Sequence, residues 1–177
     1  MKRLHIVALF ICITIFTPII AQAQLDVKPI QIALWHPVQI FDSETSIYGV
    51  RISLLYGVNQ DVYGLDYGLV NKLKGDMKGA QSGLVNIVEG DVGGMQFGLV
   101  NLANSDFHGC QHGLINIVKS TTEGIQTGLY NSTGDMKGLQ IGVVNMAGTL
   151  KGLQIGIANL NMSGEPFKFL PIVNFSF

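Results

Sequence analysis

Formal charge is scarce in this chain. Asp, Glu, Lys and Arg make up 13% of its 177 residues, about half the ordinary share of roughly 25%. The net charge is −1, so there is no basic footprint of the kind that holds nucleic acid. Cysteine is almost missing, with two in the whole chain, which excludes a disulfide scaffold. Aromatic residues are 8%, thin material for the girdles of a membrane barrel. Helical periodicity is missing too: apolar residues do not recur every 3.6 positions, and the paired glycines would each weaken a helix by ~1 kcal/mol. With 47% hydrophobic residues and a mean hydropathy of +0.36, the chain is not the sparse, highly charged sequence that stays disordered.

What is present begins with an address. Lys2 and Arg3 precede an apolar run from Ile6 to Ile20, and Ala21-Gln22-Ala23 supplies a small-x-small cleavage site. The pattern predicts a secretory signal peptide over residues 1–23, cut after Ala23. The run is too short for a membrane-spanning helix, which needs about 20 apolar residues. Cys12 follows Ile11 inside the run and lacks the setting of a lipid-attachment cysteine. Export would leave Cys110 as the single thiol of residues 24–177, so an internal disulfide is excluded. Stability then has to come from sheet pairing and burial.

Residues 24–177 read as one β-repeat domain: leading strands over 31–58, repeats over 64–160 and a terminal strand over 168–177. The unit is Gly-x-Gln-x-Gly-Leu-x-Asn, at Gly64–Asn71, Gly79–Asn86, Gly94–Asn101, Gly109–Asn116, Gly124–Asn131, Gly138–Asn145 and Gly152–Asn159. The spacing is 15 residues, with 14 for the last two steps, the mark of an array. A degenerate copy at 49–56 puts Arg51, Ser53 and Tyr56 in the Gln, Gly and Asn slots, as a start or cap. Taking the first Gly as position 1, Leu, Ile, Met and Phe fall on even positions, and Gln, Gly and Val on odd ones. This is the alternation of strands. Both faces are partly apolar, unlike a half-solvated sheet.

Two all-β architectures compete. Polar breaks such as Glu89-Gly90-Asp91 and Thr133-Gly134-Asp135 are hairpin signals. Turning there gives an antiparallel meander of about ten strands, which removes its exposed edges by closing into a barrel. The alternative is a parallel β-solenoid with one coil per repeat. There Gln and Asn would form ladders, and Arg51 would lie directly over Asp66. Two features favour the meander. A coil needs at least two corners and each repeat shows one clear turn. In addition Asp61, Asp76, Asp91 and Asp106 would stack ~4.8 Å apart in a solenoid, a like-charge arrangement. The ending Phe175-Ser176-Phe177 resembles the terminal strand of outer-membrane barrels. Against a barrel, either Ser82, His112 and Thr127 or the glutamines would face lipid, and equal turns give little of the stagger that closure needs.

The unit Gly138-Leu-Gln-Ile-Gly-Val-Val-Asn145, the opening Trp35–Phe41, the segment Val62–Gly68 and the ending Leu170–Phe175 resemble a family of bacterial surface repeat proteins. The resemblance covers about residues 31–177. It implies an exported, surface- or envelope-associated protein without an established enzymatic role, and it transfers no catalytic or binding residues.

The residues themselves offer little chemistry. His108, Cys110 and His112 point to one face of a strand, successive side chains ~6.5 Å apart, and are the candidate metal ligands, suited to Zn²⁺ or copper. The competing account is a single repeat that drifted. Each turn supplies one Asp, whereas a calcium loop supplies several oxygens. Gly93-Gly94 is followed by no Lys-Ser/Thr, so it is no phosphate loop. No nucleophile motif accompanies His36, His108 or His112. The Asn and Gln residues read as structural amides bonding between strands. The expectation is therefore a non-enzymatic exported protein of the outer membrane, cell surface or periplasm, with a structural or interaction role and no cofactor. Its partner would be lipid, an envelope protein or a glycan. The alternatives are a small barrel passing or holding a ligand, and a metal-binding envelope protein.

Overall fold

The computed structural model describes residues 27–177; the cleavage site at Ala23 and Cys12 lie outside the described residues. The elements are β1 (Val27–Trp35), β2 (Val38–Gln39), β3 (Ser46–Asn59), β4 (Val62–Leu73), β5 (Met77–Ser82), β6 (Val85–Val88), β7 (Val92–Phe97), β8 (Val100–Ala103), β9 (Phe107–His112), β10 (Ile115–Asn161) and β11 (Phe169–Ser176). β10 is a continuous extended run of 47 residues that carries three of the repeats. Strands one period apart pair in parallel with repeat positions matched: Gly64 lies beside Gly79, Gly79 beside Gly94, and Gly94 beside Gly109.

The chain is therefore a parallel β-solenoid of about seven turns. The all-β expectation holds, and the antiparallel meander and its barrel are replaced by the alternative. Both reasons for preferring the meander fail for identifiable causes. The second corner exists, in the repeat's own Gly-Leu step. β5 ends at Ser82, the chain bends through Gly83-Leu84, and β6 begins at Val85 on the other sheet. One sheet then stacks β5, β7, β9 and part of β10; the other stacks β6, β8 and another part of β10. The stacked aspartates are not bare charges side by side. An Asp61 carboxylate oxygen accepts the Asp76 N–H at 2.7 Å, Asp76 accepts the Asp91 N–H at 2.9 Å, and Asp91 accepts the Asp106 N–H at 3.1 Å. Each carboxylate caps the next coil, in contact with solvent that screens what repulsion remains.

The bend also decides what lies inside. It shifts the alternation by one, so the buried positions of a coil are the residue two before the first Gly, then positions 3, 8 and 10. In one coil these are Met77, Gln81, Asn86 and Val88, all buried. An apolar column (Ile47, Val62, Met77, Val92, Phe107) packs against a second (Leu73, Val88, Ala103, Val118) to make the hydrophobic core. Between the columns stand two ladders of amides.

The glutamine ladder starts at an ion pair. The Arg51 guanidinium donates from Nε and Nη2 to the two carboxylate oxygens of Asp66, both at 2.7 Å, with both side chains fully buried. Gln81 Nε2 donates to Asp66 Oδ2 at 2.7 Å. A carboxylate only accepts, so Gln81 must present its NH₂ to Asp66 and its oxygen to the following coil. Every glutamine above is oriented in turn: Gln96 donates to Gln81, Gln111 to Gln96, Gln126 to Gln111, Gln140 to Gln126 and Gln154 to Gln140, at 2.7–2.9 Å. Such aligned amides polarise one another cooperatively.

The asparagine ladder runs the other way. Asn86 donates to Asn101, Asn101 to Asn116 and Asn116 to Asn131, each at 2.8 Å. The same NH₂ groups donate to backbone carbonyls at the corner, for example Asn86 to Phe97 O at 2.9 Å. At its start the ladder is unfinished. An irregularity between Ser53 and Tyr56 puts Gly57, not Tyr56, beside Asn71, so no amide precedes it. Asn71 Oδ1 and Ser53 Oγ are buried without a protein partner.

Glycine at position 1 is required by both conformation and space. Gly94 has φ +130°, and a Cβ there would sit 2.0 Å from the Gly79 carbonyl oxygen. Gly94→Ala is expected to destabilise the chain by about 2–3 kcal/mol; thermal or urea unfolding measures it, and a loss under 0.5 kcal/mol would show that the coil spacing is soft.

The two ends are closed differently. β1 pairs in parallel with β3, placing Gln31 beside Arg51, and β2 folds back on β1 antiparallel. β11 pairs antiparallel with the last coil of β10, Gly156 beside Ile172. To follow that coil's corner Ile172 takes φ 72°, which is a strained value for a β-branched residue.

Candidate functional site

With the amides inside, the residues that alternate with them are outside. Positions 2, 4, 6 and 7 face outward around the Gly-Leu corner. In successive coils they read Leu65, Tyr67, Leu69, Val70, then Ala80, Ser82, Leu84, Val85, then Met95, Phe97, Leu99, Val100, and the pattern continues to Leu153, Ile155, Ile157, Ala158. The position-6 column is about half exposed throughout: Leu54 60%, Leu84 48%, Leu114 47%, Leu129 54%. A residue type that ordinarily fills cores here lines the outside of every described coil, and a large contiguous exposed apolar patch marks an interaction surface.

The charges are on the other corner. None of the outward positions 2, 4, 6 and 7 in the eight copies from Gly49 to Gly152 holds Lys, Arg, Asp or Glu. Lys74, Glu89, Asp91, Asp106 and Lys119 sit at or beside the opposite bend, joined by Lys78, Glu123 and Lys137 on the adjoining strand ends. This side is ordered by hydrogen bonds between coils. Asp106 accepts from the Ser120 hydroxyl at 2.6 Å and the Thr121 N–H at 3.0 Å. Those two donors, the hydroxyl first, hold its carboxyl below the usual range. Lys137 at 2.7 Å does the same for Glu123, with His108 adding to it.

Backbone N–H groups at the apolar corner donate from coil to coil. Gly83 N–H donates to Phe97 O at 3.0 Å, Leu84 to Leu69 O at 2.8 Å, Leu99 to Leu84 O at 2.9 Å and Gly113 to Thr127 O at 3.0 Å. A groove of about 340 Å³ lies on this corner near the start of the array, among Ile52, Leu54, Tyr67, Leu69 and Leu84. It offers apolar contact and no arrangement of acid, base and nucleophile.

The three candidate metal ligands lie on this outer surface at positions 0, 2 and 4 of one copy. They do not converge. His108 Nδ1 faces Glu123 at 3.4 Å, His112 Nδ1 shares a hydrogen bond with Thr127 Oγ1 at 2.7 Å, and Cys110 is a free thiol beside Met95 and Ile125 in the neighbouring coils. Among the described residues no three His, Cys, Asp or Glu side chains gather within reach of one metal ion. The extended backbone explains it, since alternate side chains of a strand stand apart.

Sequence reasoning missed the apolar corner as a surface. Its signal was present: Leu recurs at position 6 without a charge beside it. Reading it as external required knowing that the Gly before it is a bend. No protein-family model, curated protein or solved structure matches the chain.

Proposed function

We propose that this is an exported, non-enzymatic β-solenoid of a bacterial envelope that works by contact, through the uncharged apolar corner. The observation that carries the reading is the segregation just described. Amides are spent inside, where hydrophobic residues ordinarily go, and hydrophobic residues are spent outside. Leaving so much apolar surface in water is unfavourable by ~25 cal/mol per Å², and the array repeats the arrangement in copy after copy. The leader-like residues 1–23 and the resemblance to bacterial surface repeat proteins support the envelope as the place. Interior space is filled by the amide ladders and the apolar columns, and the groove at the apolar corner lacks the groups that acid–base or nucleophilic chemistry requires, which supports a binding role for that corner.

The test is expression of the full chain in a Gram-negative host, fractionation and intact-mass measurement. The expected product begins at Gln24 and is recovered with the envelope. An unprocessed chain recovered from the cytosol overturns the reading.

A further inference from the structure

We infer that the occupant of the apolar corner is a lipid bilayer, with the solenoid lying along the membrane surface and the Gly-Leu edge immersed in its acyl region. The inference rests on the contact reading above and deepens it. Three observations select lipid over a protein partner or a second copy.

The first is shape. The apolar residues do not lie on one flat sheet. Positions 2 and 4 belong to one sheet, positions 6 and 7 to the bend and the other sheet, so the apolar surface wraps a convex edge. Two copies packed along a flat face would cover one side of that edge and leave the other in water. A fluid medium surrounds both.

The second is backbone chemistry. Polypeptide enters hydrocarbon only where its N–H and C=O groups are already paired. At this corner the N–H groups of Gly83, Leu84, Gly98, Leu99 and Gly113 are each bonded to a carbonyl of a neighbouring coil, and the Leu84 and Leu99 carbonyls accept in turn. An ordinary loop of this composition would carry unpaired amides and be kept out.

The third is charge. Moving a Lys, Arg or Asp to the middle of a bilayer costs roughly 2.5–3.5 kcal/mol even on lenient scales. The outward positions of the corner hold none of these along the whole array, roughly 34 Å for seven inter-coil steps; the polar residues among them are Ser82, His112 and Thr127 at position 4, on the sheet side of the Gly-Leu edge, where His112 and Thr127 bond to each other at 2.7 Å. The opposite bend, which would stay in water, carries the charges. This is the cross-section of an interfacial amphipathic element, built from stacked coils in place of a helix. Because the contact is apolar and not electrostatic, it calls for no anionic lipid and is insensitive to salt.

The experiment uses the processed chain and vesicles of pure phosphatidylcholine, without and with bromine on the acyl chains. Trp35 is the single tryptophan and lies beside Tyr56 at the start of the corner, about half exposed. Its fluorescence should be quenched by the brominated lipid, and the protein should float with the vesicles equally at 0.1 M and ~1 M salt. The variant Leu99→Glu/Leu114→Glu should bind at least roughly ten-fold more weakly, with an unchanged far-ultraviolet circular dichroism spectrum. Lys119→Glu/Lys137→Glu on the charged side should bind like the parent. Absence of quenching and flotation in the parent overturns the inference without any variant. A stable dimer in sedimentation that does not bind vesicles also overturns it and assigns the corner to a second copy. In either case, recovery of the processed chain with the envelope leaves the contact reading standing, and its loss from the envelope removes both.

Discussion

Replacing Arg51 by methionine is expected to cost about 3–5 kcal/mol of stability, the usual result of stripping one partner from a buried ion pair. Arg51 supplies two of the three side-chain donors that reach the Asp66 carboxylate, and Gln81 supplies the third. Methionine fills similar space and leaves that carboxylate buried with a single amide. The guanidinium's further bond to Lys72 O at 3.1 Å is lost as well. Urea unfolding of parent and variant measures the difference. The informative companion is the double variant Arg51→Gln/Asp66→Gln. It extends the glutamine ladder by two rungs, with Gln31 next in the column, and should return to within about 1 kcal/mol of the parent, because each amide then finds a donor and an acceptor. If Arg51→Met is silent, or the double variant is worse than the single, the pair does not serve as the ladder's terminus.

Asn101→Leu is expected to cost about 3 kcal/mol although it puts a hydrophobic residue of similar size into a fully buried position. Asn101 accepts from Asn86 at 2.8 Å and donates to Asn116 at 2.8 Å and to His112 O at 3.0 Å. Leucine leaves Asn116 Oδ1 buried without its donor, at roughly 1–3 kcal/mol, and removes one of two bonds from Asn86 Nδ2, which keeps Phe97 O, and from the His112 carbonyl, which keeps the Gly98 N–H, at about 1 kcal/mol each before compensation by the added apolar contact. In a solenoid each coil touches only its neighbours, so the damage should be local. Amide hydrogen exchange should lose protection around Asn86 and Asn116 first, with β3 and β11 less affected. The outward neighbour Leu99 provides the contrast. Leu99→Ser removes a half-exposed side chain and should change stability by no more than ~0.5 kcal/mol. If Leu99→Ser proves the costlier of the two, the inside-out assignment is wrong.

The same pair of residues shows why the sequence was legible to a point. The period, the strand character and the structural role of the amides follow from spacing and residue type. So does the opposition of Arg51 and Asp66, which share a slot one period apart and carry opposite charges. The solenoid was visible as an alternative because ladders of Gln and Asn suit stacked coils. What the residues do not mark is the second corner that a coil needs, and that corner is the Gly83-Leu84 step. A glycine inside an alternating pattern reads as part of a strand, because nothing local distinguishes a bend from a flat approach. The reason for that glycine is tertiary: a Cβ at Gly83 would lie 2.5 Å from Gly68 O and 2.6 Å from Asn71 Nδ2 of the preceding coil.

The asparagine slot shows the same limit. Counting places Tyr56 there, while the irregularity after Ser53 substitutes Gly57 and leaves Asn71 Oδ1 without a partner. The His108, Cys110 and His112 side chains were correctly placed on one face by alternation, but their partners in the adjacent coil, Glu123 and Thr127, were assigned only by the parallel register.

Sequence alone thus determined that this protein is a β array of 14- and 15-residue units, that its amides recur in step, and that its charges gather at the polar breaks. Tertiary structure decided which way each unit turns, and with it which residues meet water. A bend at the Gly-Leu step moves the alternation by one position, and that single shift carries Gln and Asn inward and Leu outward. Parallel stacking then makes the shift workable, since every buried amide meets its own kind in the coils above and below. No strand pattern read in isolation contains that pairing, because the partner of each amide lies one full turn away.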